Sequence, residues 1–592
     1  RLQFREQMRR DLARATEDLV KLPTLDLAHL ASWEKALRIY EDLTARSWHY
    51  STYIGCLTAD DANNTAYQAE AAEDAQTGAE MQKLTTQFKR GFRTADDASF
   101  AALLKRPSLR GAEHHIRRLR EEAKRSMATE LENLAADLEV EGYSAWGRMY
   151  DQLIGKLEFE LVRPDGKTEM RPFSEYETLL GDADPALRKA AFVGLTAAVQ
   201  KLADPISHAL NHIAGWRLTL NRYRGIPDIL DNALFETDIR RETLDAMFAA
   251  LKKHIDIPRS MARIKAKKLG QQHLGWQDFD APLPETSHAR ISWKEGHQKL
   301  LRAFRDRLPE MADLMEEMSQ KRFLEAEIRS GKAPGAFCTD SPLTGESRIF
   351  MTYGGTLSDL YIMAHESGHA YHNHVMKDLR PSARLMPNTL AETASTFGEL
   401  LCTYGLLADP TTPAEQKARI LNMEATNTIG YLLDVPCRFF FEKALYAERA
   451  KGEVSVERLQ ELMLTAQRDM FGDTLDPAGN PWFWATKGHF YFPDSTFYNF
   501  PYTFGFLLSR GLMAEYQKQG PSFLPRYREF LRLSGSMPAE DVARQTLGID
   551  LSKSDFWENA ILSLQEFCDL YDKTPVASRP TRPHTSPGAS GR

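Results

Sequence analysis

Apolar residues recur at three- and four-residue steps between charges over residues 8–22 and 29–48, which predicts helices with one buried stripe. Residues 64–92 are polar and helix-favouring. Residues 113–141, rich in Arg, Glu, Ala and Leu, read as one long exposed helix with charge pairs along its faces. The period changes at Leu157 to Val162, where alternation followed by Pro164-Asp165-Gly166 predicts a short strand and a hairpin. Helical patterning resumes at Pro185, a residue suited to a first helical turn. A domain boundary is expected near 195. Helices then run to about 330, interrupted by a Pro-containing loop at 281–288.

The one β region expected in the second half is 335–355. Ala336 to Thr339 and Arg348 to Tyr353 flank a loop containing Thr344 and Gly345. In the second run Ile349, Met351 and Tyr353 share one face, Phe350 and Thr352 the other, and Gly354 and Gly355 break it. Helical patterns follow to about 573. The end of the chain, Pro-, Gly-, Ser- and Thr-rich, is expected to be a disordered tail over 576–592. No internal repeat has a fixed period.

Composition narrows the class. With 592 residues, 42% hydrophobic and 27% charged, the chain has a globular mix, which excludes disorder for its bulk and a collagen-like reading. That length suits several domains, or one large core with a second lobe. A net charge of -7 gives no global pull toward nucleic acid or anionic membrane, and the basic residues of 113–125 alternate with acids. No run of about 18 apolar residues predicts a membrane span. The five cysteines, Cys56, Cys338, Cys402, Cys437 and Cys568, include no CxxC pair. This argues for buried thiols in a reducing compartment, against a disulfide framework and against a thiolate zinc site. The first residues carry no apolar signal region, so the expected location is cytoplasmic.

The chemistry concentrates at His365-Glu366-Ser367-Gly368-His369. Residues four apart on a helix project from one face, so both imidazoles can reach one ion, and Glu366 can reach a water on that ion. Local signals predict the helix: Thr356 as N-cap, Asp359 in the first turn, Lys377 near the end and Pro381 as a stop. Leu357, Tyr361, Ala364, Gly368, Tyr371 and Val375 form its packing stripe, whose small residues would admit a close neighbour. Taken alone, the motif also fits a helix with two solvated or hydrogen-bonded histidines.

A catalytic zinc commonly takes three protein ligands and leaves a position for water. The extended H-E-x-x-H-x-x-G-x-x-H pattern would need Gly at 372 and His at 375, where the chain has His372 and Val375. The next helix, beginning at Asn388 or Thr389, offers a polar face of Glu392, Ser395, Thr396 and Glu399 on an otherwise apolar surface. A glutamate there is costly unless paired or metal-bound, which makes Glu392 the expected third ligand. Glu399 either orients a ligand imidazole from behind or forms an ordinary helix-face ion pair. His372 and His374 are expected to be satisfied helix histidines rather than ligands.

His365 to His372 followed by Glu392 to Glu399 resembles the M3 metallopeptidases, the thimet-oligopeptidase group, and most closely their oligoendopeptidase F branch. Phe350-Met351-Thr352-Tyr353-Gly354-Gly355-Thr356, His489-Phe490-Tyr491 and Phe497 to Tyr502 look like that branch too. The resemblance covers about 200–573, with 110–195 similar to the branch's N-terminal helical region. It divides the chain into an N-terminal helical region (1–195), a catalytic domain (196–575) and the tail (576–592). It implies a mainly α, two-lobed fold with a deep central channel, a small β region beside the metal, and one Zn2+ per chain held by His365, His369 and Glu392. It implies a zinc-dependent oligoendopeptidase that cuts internal bonds of short peptides, with Glu366 as general base. It further implies that Phe350, Met351, Thr352, Tyr353 and Gly354 pair with substrate backbone, although a packed hairpin is the other reading of that strand. His489 with Tyr502 or Tyr498 would stabilise the tetrahedral intermediate. Asn499 and Pro501 alter the family's spacing there, so both tyrosines stay candidates. From the residues alone, most rings of 482–502 read as a core aromatic cluster. Alternatives are a helical zinc carboxypeptidase or dipeptidyl carboxypeptidase, and an inactive peptide-binding protein. The expected partners are short peptides, with no nucleic acid and no membrane; the oligomeric state is open.

Overall fold

The computed structural model describes residues 2–283 and 290–575. The expected tail over 576–592, and most of the Pro-containing loop at 281–288, lie outside the described residues. The expected architecture is the one observed: mainly helical, with two lobes. In the first lobe, helices Leu2–Val20, Leu30–Asp60 and Thr65–Thr94 pack their apolar stripes together around Leu12, Trp33, Leu37, Phe88 and Phe92. This core runs from Met8 to Leu119 and is separate from the larger one, which runs from Tyr143 to Leu564. The division in packing therefore falls between 119 and 143. Residue 195 lies inside helix Pro185–Gln200, whose Leu187, Ala191, Leu195 and Val199 belong to the larger core. Among the described residues no helix is long and apolar enough to cross a membrane.

The stretch expected as one exposed helix over 113–141 is two helices, Glu113–Lys124 and Thr129–Glu141. The break follows from burying Met127, whose N–H donates to the Glu132 carboxylate at 2.7 Å and whose carbonyl takes Arg93. The first of the two is not solvated all round, because Ile116, Leu119 and Ala123 enter the first lobe's wall. Burial at these positions outweighed the charge pattern that suggested exposure.

The hairpin read from alternation is present as β1 (Glu158–Val162) and β2 (Thr168–Pro172), with Phe159 and Leu161 buried. The second β region is a three-stranded sheet. β3 (Leu324–Glu325) lies parallel to β5 (Glu346–Phe350), and β4 (Phe337–Ser341) pairs antiparallel on the other side. Two residues are too few for alternation to announce β3. The first lobe is fastened to this sheet: the Thr52 hydroxyl donates to the Asp340 carbonyl at 2.7 Å, and His49 bonds Ser341 at 2.7 Å. Arg380, just beyond the HExxH helix, binds Glu41 and the Ser108 and Arg110 carbonyls.

The HExxH helix, Leu357–Met376, starts with the expected Thr356–Asp359 capping box. Its small stripe meets the helix Asn388–Ala408 at backbone contact. A Cβ on Gly368 would sit 2.1 Å from the Ala394 carbonyl oxygen. The contact is reciprocal, since a Cβ on Gly398 would sit 2.5 Å from the Ala364 carbonyl oxygen. Gly368→Ala is therefore expected to force the two helices apart and to lower stability by about 1–3 kcal/mol. Denaturant unfolding with and without added zinc measures both effects; an unchanged midpoint would mean the helices separate at no cost.

Candidate metal centre and its cleft

His365 and His369 leave the HExxH helix side by side, their rings 4.9 Å apart between centroids. Glu392 comes from the facing helix. Its Oε2 lies 3.3 Å from His365 Nε2 and 3.4 Å from His369 Nε2, and the three ligand atoms all lie within 4.8 Å of one another. Ligands about 2.1 Å from a tetrahedral zinc stand roughly 3.4 Å apart, so this donor set fits such an ion. Ser395 holds the carboxylate in place, its hydroxyl donating to Glu392 Oε2 at 2.7 Å. His365 Nδ1–H donates to Glu399 at 2.6 Å, which leaves Nε2 facing Glu392.

Electrostatics agree with a site built for positive charge. Burial alone would raise the Glu392 pKa, but the two imidazoles hold it well below the usual carboxylate range. Burial alone would lower the His365 pKa, but Glu392 and Glu399 push it up to about 10. Two imidazoles and two carboxylates at this spacing call for a cation between them.

Glu366 is 6% exposed. The backbone N–H of Cys338 on β4 bonds its carboxylate, while Oε2 has no partner. Burial first, and the Glu392 charge with it, raise its pKa against the pull of the two histidines. The result is a carboxylate with one oxygen held and one oxygen free.

Tyr498 and Tyr502 line the same cavity as His365, Glu392, Thr396 and Glu399, a space of about 300 Å³. His489 stacks on Tyr502 at 6.0 Å and meets Tyr498 edge-on at 5.2 Å. Burial, with Lys487 and Arg438 nearby, lowers the His489 pKa to about 3, so its ring is neutral at ordinary pH. Burial and the Tyr498 hydroxyl push the Tyr502 pKa upward, which keeps its proton on.

The turn that carries Tyr498 and leads into the helix Phe500–Gln519, which bears Tyr502, is held by residues that sequence reasoning missed. Phe497 takes a positive φ of 52°, a strained conformation for a bulky residue. Buried Glu442 secures it by accepting from Phe497 N–H at 3.0 Å and from Asn499 Nδ2 at 2.7 Å. Arg217, also buried, donates to the Phe492 and Ser495 carbonyls and to the Tyr143 and Tyr446 hydroxyls. The available signal was a lone carboxylate behind Phe439-Phe440-Phe441, whose burial demands partners.

Other expected residues fall as follows. His372 is buried and donates through Nε2 to the Leu531 carbonyl, with Ser534 Oγ at 2.8 Å; neither it nor His374 joins the metal group. Along Phe350 to Gly354, the N–H groups of Met351, Tyr353 and Gly354 bond Glu325, Ala326 and Asp359, and the Met351 carbonyl takes Lys332. Phe350, Met351 and Tyr353 are buried, and Thr352 alone of the five is exposed. The strand that touches Glu366 is β4, through Cys338.

Comparison with known proteins adds the lineage. Residues 299–562 match the profile of peptidase family M3, and residues 92–159 match the profile described as oligopeptidase F. Oligopeptidase PepF of Bacillus subtilis is 22% identical over 68% of this chain and 60% of its own length. The plasmid-encoded oligoendopeptidase F of Lactococcus lactis is 24% identical over 65% of this chain and 63% of its own. The chain thus spans about three-fifths of the length of these curated relatives. Among solved structures, a putative peptidase from Chlamydophila abortus has a TM-score of 0.84 at 18% identity, covering 96% of both chains. Oligoendopeptidase-F from Enterococcus faecium has a TM-score of 0.69 at 19% identity, covering 96% of this chain and 98% of that one. At such identities these structures share the fold.

Removing the group behind His365 gives a direct check. Glu399→Gln is expected to weaken zinc affinity about 10–100-fold, read by competition against a chelator of known affinity; wild-type affinity would mean the imidazole is oriented by other contacts.

Proposed function

The chain belongs to peptidase family M3, in its oligoendopeptidase F branch, and we propose that it is a zinc-dependent oligoendopeptidase hydrolysing internal bonds of short peptides. The observation that carries this reading is the His365–His369–Glu392 group with the free Glu366 oxygen beside it. Zinc, when bound, supplies Lewis acidity, polarising a carbonyl and drawing the pKa of water from about 15.7 toward about 7.

The chain's own residues supply the rest. Glu366 accepts the proton of the attacking water at Oε2 and passes it to the leaving amine, while Cys338 N–H steadies its other oxygen. Its raised pKa suits both halves of that transfer. His489, neutral, and the hydroxyls of Tyr498 and Tyr502 stand as donors for the oxygen of the tetrahedral intermediate, each such donor worth about 3 kcal/mol. β4 borders Glu366 through the Cys338 N–H, and of Phe350 to Gly354 the exposed Thr352 is the residue open to a peptide.

Glu366→Gln is expected to keep its zinc, as read by metal analysis, and to lose about 10²–10⁴-fold in turnover of an internally quenched peptide blocked at both ends. Unchanged turnover would remove Glu366 from the role of base. Chelation of the wild-type protein should abolish cleavage, and added zinc should restore it. Cleavage confined to peptides with a free C-terminal carboxylate would instead support the carboxypeptidase reading.

A further inference from the structure

The three donors proposed for the tetrahedral intermediate are packed as one set. His489 stacks on Tyr502 at 6.0 Å, and Tyr498 meets both rings edge-on, at 5.2 and 5.6 Å between centroids. Tyr498 sits on the turn between Phe497 and Asn499, and Tyr502 in the first turn of helix Phe500–Gln519. A shift of the backbone at 497–500 would carry both hydroxyls with it.

That backbone is not one the chain adopts unaided. Phe497 has a φ of 52°, in the left-handed region that a bulky residue avoids. Its carbonyl accepts from Asn499 N–H at 2.6 Å, closing a tight turn. Glu442, on helix Val435–Arg449, is buried against this turn and uses both oxygens on it. Oε1 accepts from Phe497 N–H at 3.0 Å and Oε2 from Asn499 Nδ2 at 2.7 Å. The Asn499 side-chain oxygen accepts in turn from Phe500 N–H at 2.7 Å, meeting the first N–H of the helix that bears Tyr502. One carboxylate thus reaches the turn directly and the helix start through Asn499. Arg217 secures the segment before the turn by the Phe492 and Ser495 carbonyls. Tyr446, one helical turn beyond Glu442, accepts from the same guanidinium at 2.7 Å. Glu442 does not line the cavity at the candidate metal centre, so any effect it has there passes through these neighbours.

We propose that Glu442 is a positioning residue: its two hydrogen bonds fix Phe497 and Asn499, and through them hold Tyr498 and Tyr502, with His489 packed on both, in the geometry that receives the oxygen of the tetrahedral intermediate. This rests on the peptidase reading above. Donors that stabilise a transition state act by being in place beforehand. Glu442 is therefore expected to govern kcat and to leave KM and zinc affinity alone.

Glu442→Gln keeps the size of the side chain but offers one acceptor and one donor where the turn presents two donors. Turning the Asn499 amide over to meet it would take its oxygen away from Phe500 N–H. In the zinc-loaded full chain this variant is expected to lower kcat on an internally quenched peptide by about 10–100-fold, with KM and zinc affinity as in wild type. Asn499→Asp alone sets two carboxylates face to face and is expected to lower kcat as well. Combining the two substitutions puts a donor opposite an acceptor again and leaves an oxygen for Phe500 N–H. The double variant is expected to return kcat to within about threefold of wild type. Thermal unfolding of each variant separates loss of fold from loss of rate, since a purely structural role lowers the melting temperature and leaves kcat of the folded protein unchanged. Where Glu442→Gln does not fold, Asn499→Asp carries the same measurement. Wild-type kcat in the folded single variant, a loss that falls on KM instead, or no recovery in the double variant overturns the proposal, while cleavage by wild type leaves the peptidase reading standing. Failure of both single variants to fold would assign Glu442 to stability alone and overturns the proposal too. No cleavage by zinc-loaded wild type overturns both.

Discussion

At Gly368 and Gly398 two helices lie against each other's backbone carbonyls, and the distances in the candidate metal centre follow from that contact. A protein interior has little slack, so a methyl group at either glycine must move a helix. The separation places Glu392 Oε2 almost equidistant from two imidazole nitrogens. The same pair of helices is braced farther along, where the Tyr361 hydroxyl meets Thr403, Thr403 donates to Glu424, and Glu424 is paired with buried Arg510. In this polar brace both Glu424 oxygens are bonded, which lets it fix a spacing.

Buried charges in this molecule fall into two kinds. Arg188 with Asp278, Glu424 with Arg510, and Glu442 with Phe497 and Asn499 have their partners in the fold. They hold elements together, and in the case of Glu442 they hold a strained turn that presents Tyr498. Glu366 is of the other kind, with one oxygen bonded by the Cys338 N–H and its Oε2 without a partner among the described residues. An unmet carboxylate oxygen is costly where water is scarce, and the fold bears that cost at Glu366 as it does at Asp434 and Glu540.

The first lobe is not a detached appendage of this arrangement. Helix Leu30–Asp60 bonds Asp340 and Ser341 at the end of β4, and the Cys338 N–H of the same strand bonds Glu366. A short strand therefore joins the N-terminal lobe to the carboxylate proposed as the base. Glu41, on that helix too, grips Arg380 and Ser382 just past the HExxH helix. The lobe thus supports the site from two sides.

The amino-acid order by itself settled what is local. The capping box at Thr356 and Asp359, the four-residue spacing of His365 and His369, the stripe of small residues around Gly368, the polar face bearing Glu392 and Glu399, and the two hairpins all depend on neighbours within a turn or a strand, where backbone periodicity fixes which side chains share a face. Other features answer to residues far away in the chain. The helix broken at Met127, the parallel partner at Leu324, the division of the two cores before Tyr143, and the hold of Glu442 and Arg217 on the turn before Tyr498 leave no periodic trace. Each exists because a buried polar group or an apolar side chain had to find its complement across the fold, and only packing in three dimensions decides which complement is within reach.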